Sequence, residues 1–377
     1  MDEEDCKLKI EDYRLKIVHL LNELDDLNCI DITSKHMLTF KEILTKLAQR
    51  QDLSEPESAF ALSEIISGQV SDIHIAAFLF GMRCKGETVE ELTTFVKIMR
   101  NEAVKVEINA QNAVDLCGTG GDHSGTFNIS TSAMFVVAGA GVPVLKHGNR
   151  SVSSKSGSAD VLESLGAVAE LKKQDVEKVF DQTGIAFMYA PFFHPAMKHV
   201  MPARRALGMR SFFNILGPLL NPADVRHQIV GAYSRDVAHL IAQILSNLDT
   251  EFAYTVNAHD GLDEVSLSGA SELFEVSHSV VSDAIRFDPR SLDFNLIDLE
   301  ELKGGDADHN ARIIKNIVRD KAEPAQKNIA VINAAFGIHA AGKVNTLKEA
   351  RDLALESIES GAAKNAMTNF IEATKSD

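Results

Sequence analysis

The stretch Asp115–Gly166, DLCGTGGDHSGTFNISTSAMFVVAGAGVPVLKHGNRSVSSKSGSADVLESLG, decides the fold. An apolar strand-like run, Ala113 to Cys117, breaks into Gly118-Thr119-Gly120-Gly121-Asp122. After a polar turn, Asn128-Ile129-Ser130-Thr131 opens a helical pattern. A second short strand, Val142 to Leu145, ends in Lys146-His147-Gly148-Asn149-Arg150, and a run of small hydroxyl and glycine residues opens another helix near Gly157. Both strand–loop–helix units place glycine, hydroxyl and amide groups where loop meets helix, which points to an anion cradle. Helix N-termini present unpaired N–H groups and the positive end of the macrodipole, and glycine lets backbone approach a phosphate closely. Lys146, Arg150 and Lys155 add positive charge. The competing reading is two ordinary turns. One glycine-rich turn is common; two in tandem with basic residues are not.

Working outward, the period on the two sides differs. From Leu38 to about Val106 the pattern is helical throughout. Ser54-Glu55-Pro56-Glu57 is a capping box with proline in the first turn, Ser71-Asp72 starts a second helix, and Thr88 with Glu90 and Glu91 starts a third. From about Glu107 short β runs alternate with helices, as in a parallel α/β sheet. The strands continue through Ile185–Tyr189, Ile229–Ala232 and Phe252–Val256, a polar and flexible segment is expected over about Leu302–Asn310, and three helices close the chain at about 324–341, 347–360 and 362–374. The expected fold is α/β: a small helical domain at 37–106 and a large α/β domain at 107–377 with a central, mostly parallel sheet. Residues 1–36 read as a separate helical extension, with Ile10, Tyr13, Ile17, Leu20, Leu24 and Leu27 on one narrow stripe. That stripe fits a helix packed on its own domain as well as it fits a partner contact.

Bulk composition narrows the function. The 377 residues carry a net charge of −16, which argues against a dedicated nucleic-acid or anionic-membrane binder but not against a small phosphorylated ligand in a local positive pocket. The four cysteines, Cys6, Cys29, Cys84 and Cys117, form no C-x-x-C pair, so neither a disulfide framework nor a zinc site is expected. No apolar run reaches membrane-span length, and the acidic N-terminus is unlike a presequence. A cytoplasmic protein is the expectation.

The common nucleotide folds fail on detail: His123 stands where the third glycine of G-x-G-x-x-G belongs, and no G-x-x-x-x-G-K-[ST] occurs. Asp263-Glu264 lies beyond the C-terminal end of a strand, where α/β proteins place ligands. The pair fits either a solvated turn or a Mg²⁺ site completed by waters and substrate phosphate. Asp122 and Ser130 lie within reach of the same ion. His147 and Asn149 flank Gly148 and either face a substrate or stabilise a tight turn. Arg204 and Arg205 on a later helix suit carboxylate recognition, or else one points inward and one to solvent. The serines read as phosphate donors, since none sits in G-x-S-x-G. A cradle and a metal without a nucleophile call for a substrate that brings its own reactivity. An activated pyrophosphate ester attacked by an amine fits, as does a glycosyl group exchanged with phosphate.

At these residues the chain resembles the anthranilate phosphoribosyltransferase family, of the nucleoside phosphorylase/phosphoribosyltransferase type II fold, from about Phe40 to the C-terminus. The motifs are Gly118–Asp122, Thr126–Thr131, Lys146–Arg150, Lys155–Asp160, His194–Met197, Phe213–Pro218 and Asp263-Glu264. The resemblance implies that phosphoribosyl pyrophosphate lies against Gly118, Gly121, Asp122, Thr126, Asn128, Ile129, Ser130, Thr131, Lys146, His147, Gly148, Asn149, Arg150, Ser151, Val152, Ser153, Ser154 and Ser158. It implies two Mg²⁺ ions held through Ser130, Asp263 and Glu264. Anthranilate is expected against Gly118, His147, Asn149 and Arg204, with Tyr189 and His194 along its path. No covalent catalyst is implied; His147 and Asn149 are the nearest candidates. A homodimer through the helical domain, joined by helices of about 196–220, is implied as well. Two relatives of the function stay open: a pyrimidine nucleoside phosphorylase, and a non-catalytic nucleic-acid-binding member of the fold. The sequence departs from the family at His123, where a small residue is more usual, and at residues 1–36, which have no counterpart and leave room for a pathway partner.

Overall fold

The computed structural model describes residues 38–122, 124–150 and 155–376. The expected extension at 1–36, His123 and Ser151–Ser154 lie outside the described residues.

Four helices come first: α1 (Phe40–Ala48), α2 (Glu55–Ile66), α3 (Asp72–Lys85) and α4 (Val89–Asn101). Their starts are chemically marked. Ser54 N–H donates to Glu57 at 2.9 Å, the Thr88 hydroxyl accepts from Glu91 N–H at 3.2 Å, and Glu91 takes the Thr88 N–H in return at 2.9 Å. Phe78 and Phe95 pack here against Phe212, which arrives from far along the chain, with Phe95 and Phe212 ring centres 4.9 Å apart.

The remainder is one sheet wrapped by helices. Its strands are β1 (Val114–Gly118), β2 (Val144–Gly148), β3 (Ile185–Tyr189), β4 (His227–Gly231), β5 (Phe252–Ala258), β6 (Ser271–Ser277), β7 (Val280–Val281) and β8 (Ile285–Phe287). The spatial order is β3-β2-β1-β4-β5-β6-β7, with β8 also on β6. The first five strands are parallel and β6, β7 and β8 antiparallel. From β1 the chain proceeds outward to β2 and β3, then returns to β4 on the other side of β1. The C-terminal ends of β1 and β4 therefore flank a topological switch point, the place where open α/β sheets bind ligands.

Helices α5 (Ile129–Gly139), α6 (Ser158–Leu165) and α7 (Lys173–Thr183) follow the first two strands, and α8 (Ala190–Phe193), α9 (Met201–Leu207) and α10 (Phe213–Leu216) follow β3. Next come α11 (Arg235–Ser246), α12 (Ala307–Ile317), α13 (Pro324–Ala340), α14 (Leu347–Glu359) and α15 (Ala362–Ala373). Helix α13 is buried along most of its length. A Cβ on Gly337 would stand 3.2 Å from the Leu116 side chain of β1 and 3.1 Å from Val137 of α5, so this glycine sets a close helix–sheet approach.

Two expectations are corrected. The second strand starts after Pro143 and runs through Gly148, because parallel pairing with β3 extends along Lys146, His147 and Gly148. Lys146 and His147 are thus strand residues that alternate between faces. The segment at 302–310 is ordered rather than flexible. Phe127 N–H donates to the Leu302 carbonyl at 3.1 Å, Gly304 N–H to the Gly125 carbonyl at 2.9 Å, and α12 begins at Ala307. Polar composition there reflects backbone pairing with the first glycine turn. Among the described residues no helix is long and apolar enough to cross a membrane.

Candidate active site

The site grows from two glycines in register. Gly118 ends β1, Gly231 ends β4, and the two are paired. The segment after β5 crosses directly over them. A Cβ on Gly231 would lie 1.5 Å from the Asp263 carbonyl oxygen, and one on Gly118 would lie 2.5 Å from Asp263 Oδ2. Neither glycine has a positive φ; both are demanded by this approach. Gly120 N–H then donates to Asp263 Oδ2 at 2.8 Å, tying the first turn to the acidic pair.

Asp122, Asp263 and Glu264 converge, with one carboxylate oxygen of each within 4.8 Å of the others. Ser130, at the start of α5, lines the same small cavity as Asp263 and Glu264. Burial, then the neighbouring Asp122 charge, pushes Asp263 up to about 6, against the pull of hydrogen bonds from Glu264 and Gly120. Burial, then Asp263 and Asp122, holds Glu264 well above the usual carboxylate range. Glu264 Oε2 is shut from solvent and finds no hydrogen-bond partner among the described residues. Three carboxylates crowded together, with an orphaned oxygen and a hydroxyl beside them, are an oxygen-ligand set suited to a hard divalent cation. Lys146 is buried between the strands, its ammonium donating to the Leu116 carbonyl and, at 3.3 Å, to Ser130 Oγ. It places fixed positive charge beneath the cradle.

Other segments brace the two turns. Asn128, which precedes α5, does not cap it; its amide donates to the Ser156 carbonyl at 3.2 Å and accepts from Asn310 at 2.9 Å. The helix start thus keeps its N-terminal N–H groups clear of that side chain. Thr131 is buried, its hydroxyl facing inward. Thr126 bridges to Lys303. Ser158 Oγ donates to the Asn149 carbonyl at 3.3 Å, and Gly148 is needed because a Cβ would meet that hydroxyl at 2.3 Å. Arg150 is held by ion pairs. Its guanidinium binds Asp160, Glu163 and Glu170 at 3.0, 2.7 and 2.8 Å and lies over the Tyr189 ring. These pairs hold it well above its ordinary range.

Two imidazoles lie together: the rings of His147 and His194 are 5.2 Å apart, edge to face. Burial lowers His147 to about 3 and His194 to about 4, so both are neutral, and His194 Nε2 meets the Leu220 carbonyl at 2.8 Å. Of the adjacent arginines, Arg205 is exposed and Arg204 half-buried. The Arg204 guanidinium lies over Phe213 at 5.3 Å, and burial alone lowers its pKa, no neighbouring charge contributing. A partly desolvated guanidinium with no ion pair among the described residues is suited to receiving a carboxylate.

Sequence reasoning missed several supporting residues. Arg210 donates to the Gly121 carbonyl and stacks over Tyr233 at 4.3 Å. Asn221 spans buried Asp115 and the Leu145 carbonyl at 2.8 and 2.7 Å. Asn333 grips the backbone beside Glu264. Only Asn333 carried a local signal, as a lone amide inside the apolar run Ile329–Ile338.

Comparison with known proteins agrees with this fold. Residues 41–103 match the helical bundle domain of the glycosyl transferase family and residues 110–364 its a/b domain. An anthranilate phosphoribosyltransferase of Salinibacter ruber is 47% identical over 336 residues, covering 88% of this chain and 98% of that protein. The chain belongs to the anthranilate phosphoribosyltransferase family. Among solved structures, the enzyme from Thermus thermophilus is similar with a TM-score of 0.83 at 33% identity, covering 88% of this chain and 99% of that one. The Saccharomyces cerevisiae enzyme, in complex with PRPP (phosphoribosyl pyrophosphate) and Mg, gives 0.82 at 28% identity, with 89% and 97% covered.

Proposed function

We propose that this chain transfers the 5-phosphoribosyl group from phosphoribosyl pyrophosphate to the amine of anthranilate, the family's step in tryptophan biosynthesis. The observation that carries the reading is the Asp122–Asp263–Glu264 cluster at the switch point, beside the glycine turn and the start of α5, with Glu264 Oε2 buried and without a partner among the described residues. In the reaction the amine nitrogen bonds to the anomeric carbon, the bond from that carbon to pyrophosphate oxygen breaks, and the amine loses a proton. Bound at Asp263, Glu264 and Ser130, two Mg²⁺ ions would neutralise the pyrophosphate and ease its departure. The rest falls to the chain. The turn Gly118–Asp122 and residues Thr126 to Thr131 seat the phosphates, Lys146 supplies charge below them, and Asn149 with the Lys146–Ser154 and Ser158 segment orients the ribose. Arg204 holds the anthranilate carboxylate, with Gly118, His147, Tyr189 and His194 shaping its access. Catalysis is then positioning and electrostatics, with no covalent enzyme intermediate.

The domain division is proposed as 37–106, joined by about 196–220, with 107–377. A homodimer through the helical part is supported by an exposed stripe on α3, where Ile73 is 80% and Phe80 53% exposed and Ala77 and Cys84 continue the same face. A cytoplasmic enzyme with no nucleic-acid or membrane partner fits the charge of −16. Purified protein given anthranilate and phosphoribosyl pyrophosphate is expected to release pyrophosphate. Phosphorolysis of a pyrimidine nucleoside without that transfer would favour the phosphorylase reading instead.

A further inference from the structure

The acidic pair sits on a short crossing segment, and what fixes its height above the sheet is a side chain from another layer. Val265 N–H donates to Asn333 Oδ1 at 3.0 Å, and Asn333 Nδ2 donates back to the Val265 carbonyl at 3.0 Å. The same amide also donates to the Ile329 carbonyl of its own helix at 2.9 Å. Asn333 is 3% exposed, lies within the apolar run Ile329–Ile338 of α13, and lines the cavity shared by Ser130, Asp263 and Glu264. One helical turn on, Gly337 brings α13 against Leu116 of β1, the strand whose end carries the glycine turn. A buried amide that satisfies both backbone groups of a single residue acts as a two-point clamp. Without it, that N–H and C=O would be left unpaired in a buried layer, at a cost on the order of 1–3 kcal/mol each.

We infer that Asn333 is a positioning residue for the reaction: it holds Asp263 and Glu264 at the spacing needed to take a divalent cation. Ionised together, as cation ligands, Asp122, Asp263 and Glu264 repel one another, which tends to drive this segment away from the glycine turn. Gly120 N–H restrains it from one side and Asn333 from the other. The cluster is therefore assembled before ligand arrives, which favours charge stabilisation without reorganisation.

The inference rests on the transferase reading, and one experiment separates the two. Full-length wild type, Asn333→Ala and Asn333→Leu are compared for Mn²⁺ binding by electron paramagnetic resonance in the presence of pyrophosphate. The dependence of rate on Mg²⁺ and on anthranilate is measured alongside. Expected is a loss of Mn²⁺ affinity of about tenfold or more and a matching rise in the Mg²⁺ needed for half-maximal rate, with the anthranilate KM changed less than about twofold. Equal changes in both constants, or Mn²⁺ affinity within about twofold of wild type, would overturn the role. Wild type without any transfer activity would instead sink the function reading. Should neither variant fold, hydrogen exchange on ligand-free wild type decides. Slow exchange at Val265 is expected, and exchange at the rate of an open loop rejects a preassembled pair.

Discussion

Two glutamates in this molecule have opposite surroundings. Glu91, in the helical part, is fully buried and satisfied on all sides: the Lys85 ammonium reaches it at 2.9 Å, Leu53 N–H at 2.8 Å and Thr88 N–H at 2.9 Å. Glu264 presents a buried oxygen with no partner among the described residues and has Asp263 and Asp122 for neighbours. Burial penalises a charge in both places. In the first, folding supplies the compensation, so the carboxylate is structural. In the second, Gly120 N–H serves Asp263 but one Glu264 oxygen is left without a partner among the described residues, where a cation would supply one. The difference sets an acid paired within the fold apart from acids proposed to hold a cation.

Substitution at each place tests that separation. Replacing Asp263 and Glu264 together by alanine is expected to lower kcat/KM by about 10³-fold or more while leaving the melting temperature unchanged or raised, because the repulsion goes with the side chains. Near-normal turnover with saturating Mg²⁺ would remove the metal assignment. Glu91→Ala should do the reverse. Lys85 keeps Asp52 at 2.7 Å, but Leu53 N–H and Thr88 N–H lose their acceptor, so denaturant titration is expected to show a loss of about 1–3 kcal/mol, and activity per folded molecule should stay within about twofold.

Arg204 extends the contrast to a cation. Arg204→Ala is expected to raise the anthranilate KM about 30-fold, corresponding to about 2 kcal/mol for a charged hydrogen bond, with the phosphoribosyl pyrophosphate KM unmoved. The smallest effect concerns His194. Its pKa is depressed to about 4 from 6.5, so the unfolded chain takes up a proton that the folded one refuses between those values. Its contribution to stability is present above pH 6.5 and is lost as pH falls toward 4. The acid-side slope of stability against pH is therefore expected to be shallower in His194→Asn than in wild type; a steeper slope would contradict the buried neutral imidazole.

Local signals carried most of the fold. The capping boxes at Ser54 and Thr88 and the closing helices were legible because their start signals and apolar periods are contained in a few consecutive residues. The order of strands was less so. That β4 returns beside β1, pairing Gly118 with Gly231, depends on contacts between distant segments. The helix at Ala307–Ile317 went unread for the same reason, since the preceding polar segment owes its order to pairing with Gly125 and Phe127. At the site, Asp122, Ser130, Asp263 and Glu264 were each visible by type and strand-end position, and the structure brings them together. The ion pairs of Arg150 with Asp160, Glu163 and Glu170 were not legible, because these acids face it only once the chain has folded. Asn310 and Asn333 act through groups far along the chain, so their partners leave no trace in sequence, although Asn333 stands out within its apolar run.

The central claim is that the acidic cluster and the glycine turn together support phosphoribosyl transfer to anthranilate. Its most direct measurement follows anthranilate fluorescence in a solution of the purified full chain with phosphoribosyl pyrophosphate and Mg²⁺, with pyrophosphate quantified in parallel. Anthranilate is expected to disappear one-for-one with pyrophosphate released, and chelating the Mg²⁺ is expected to stop both. Unchanged fluorescence with both substrates and Mg²⁺ present, or an equal rate after chelation, would contradict it.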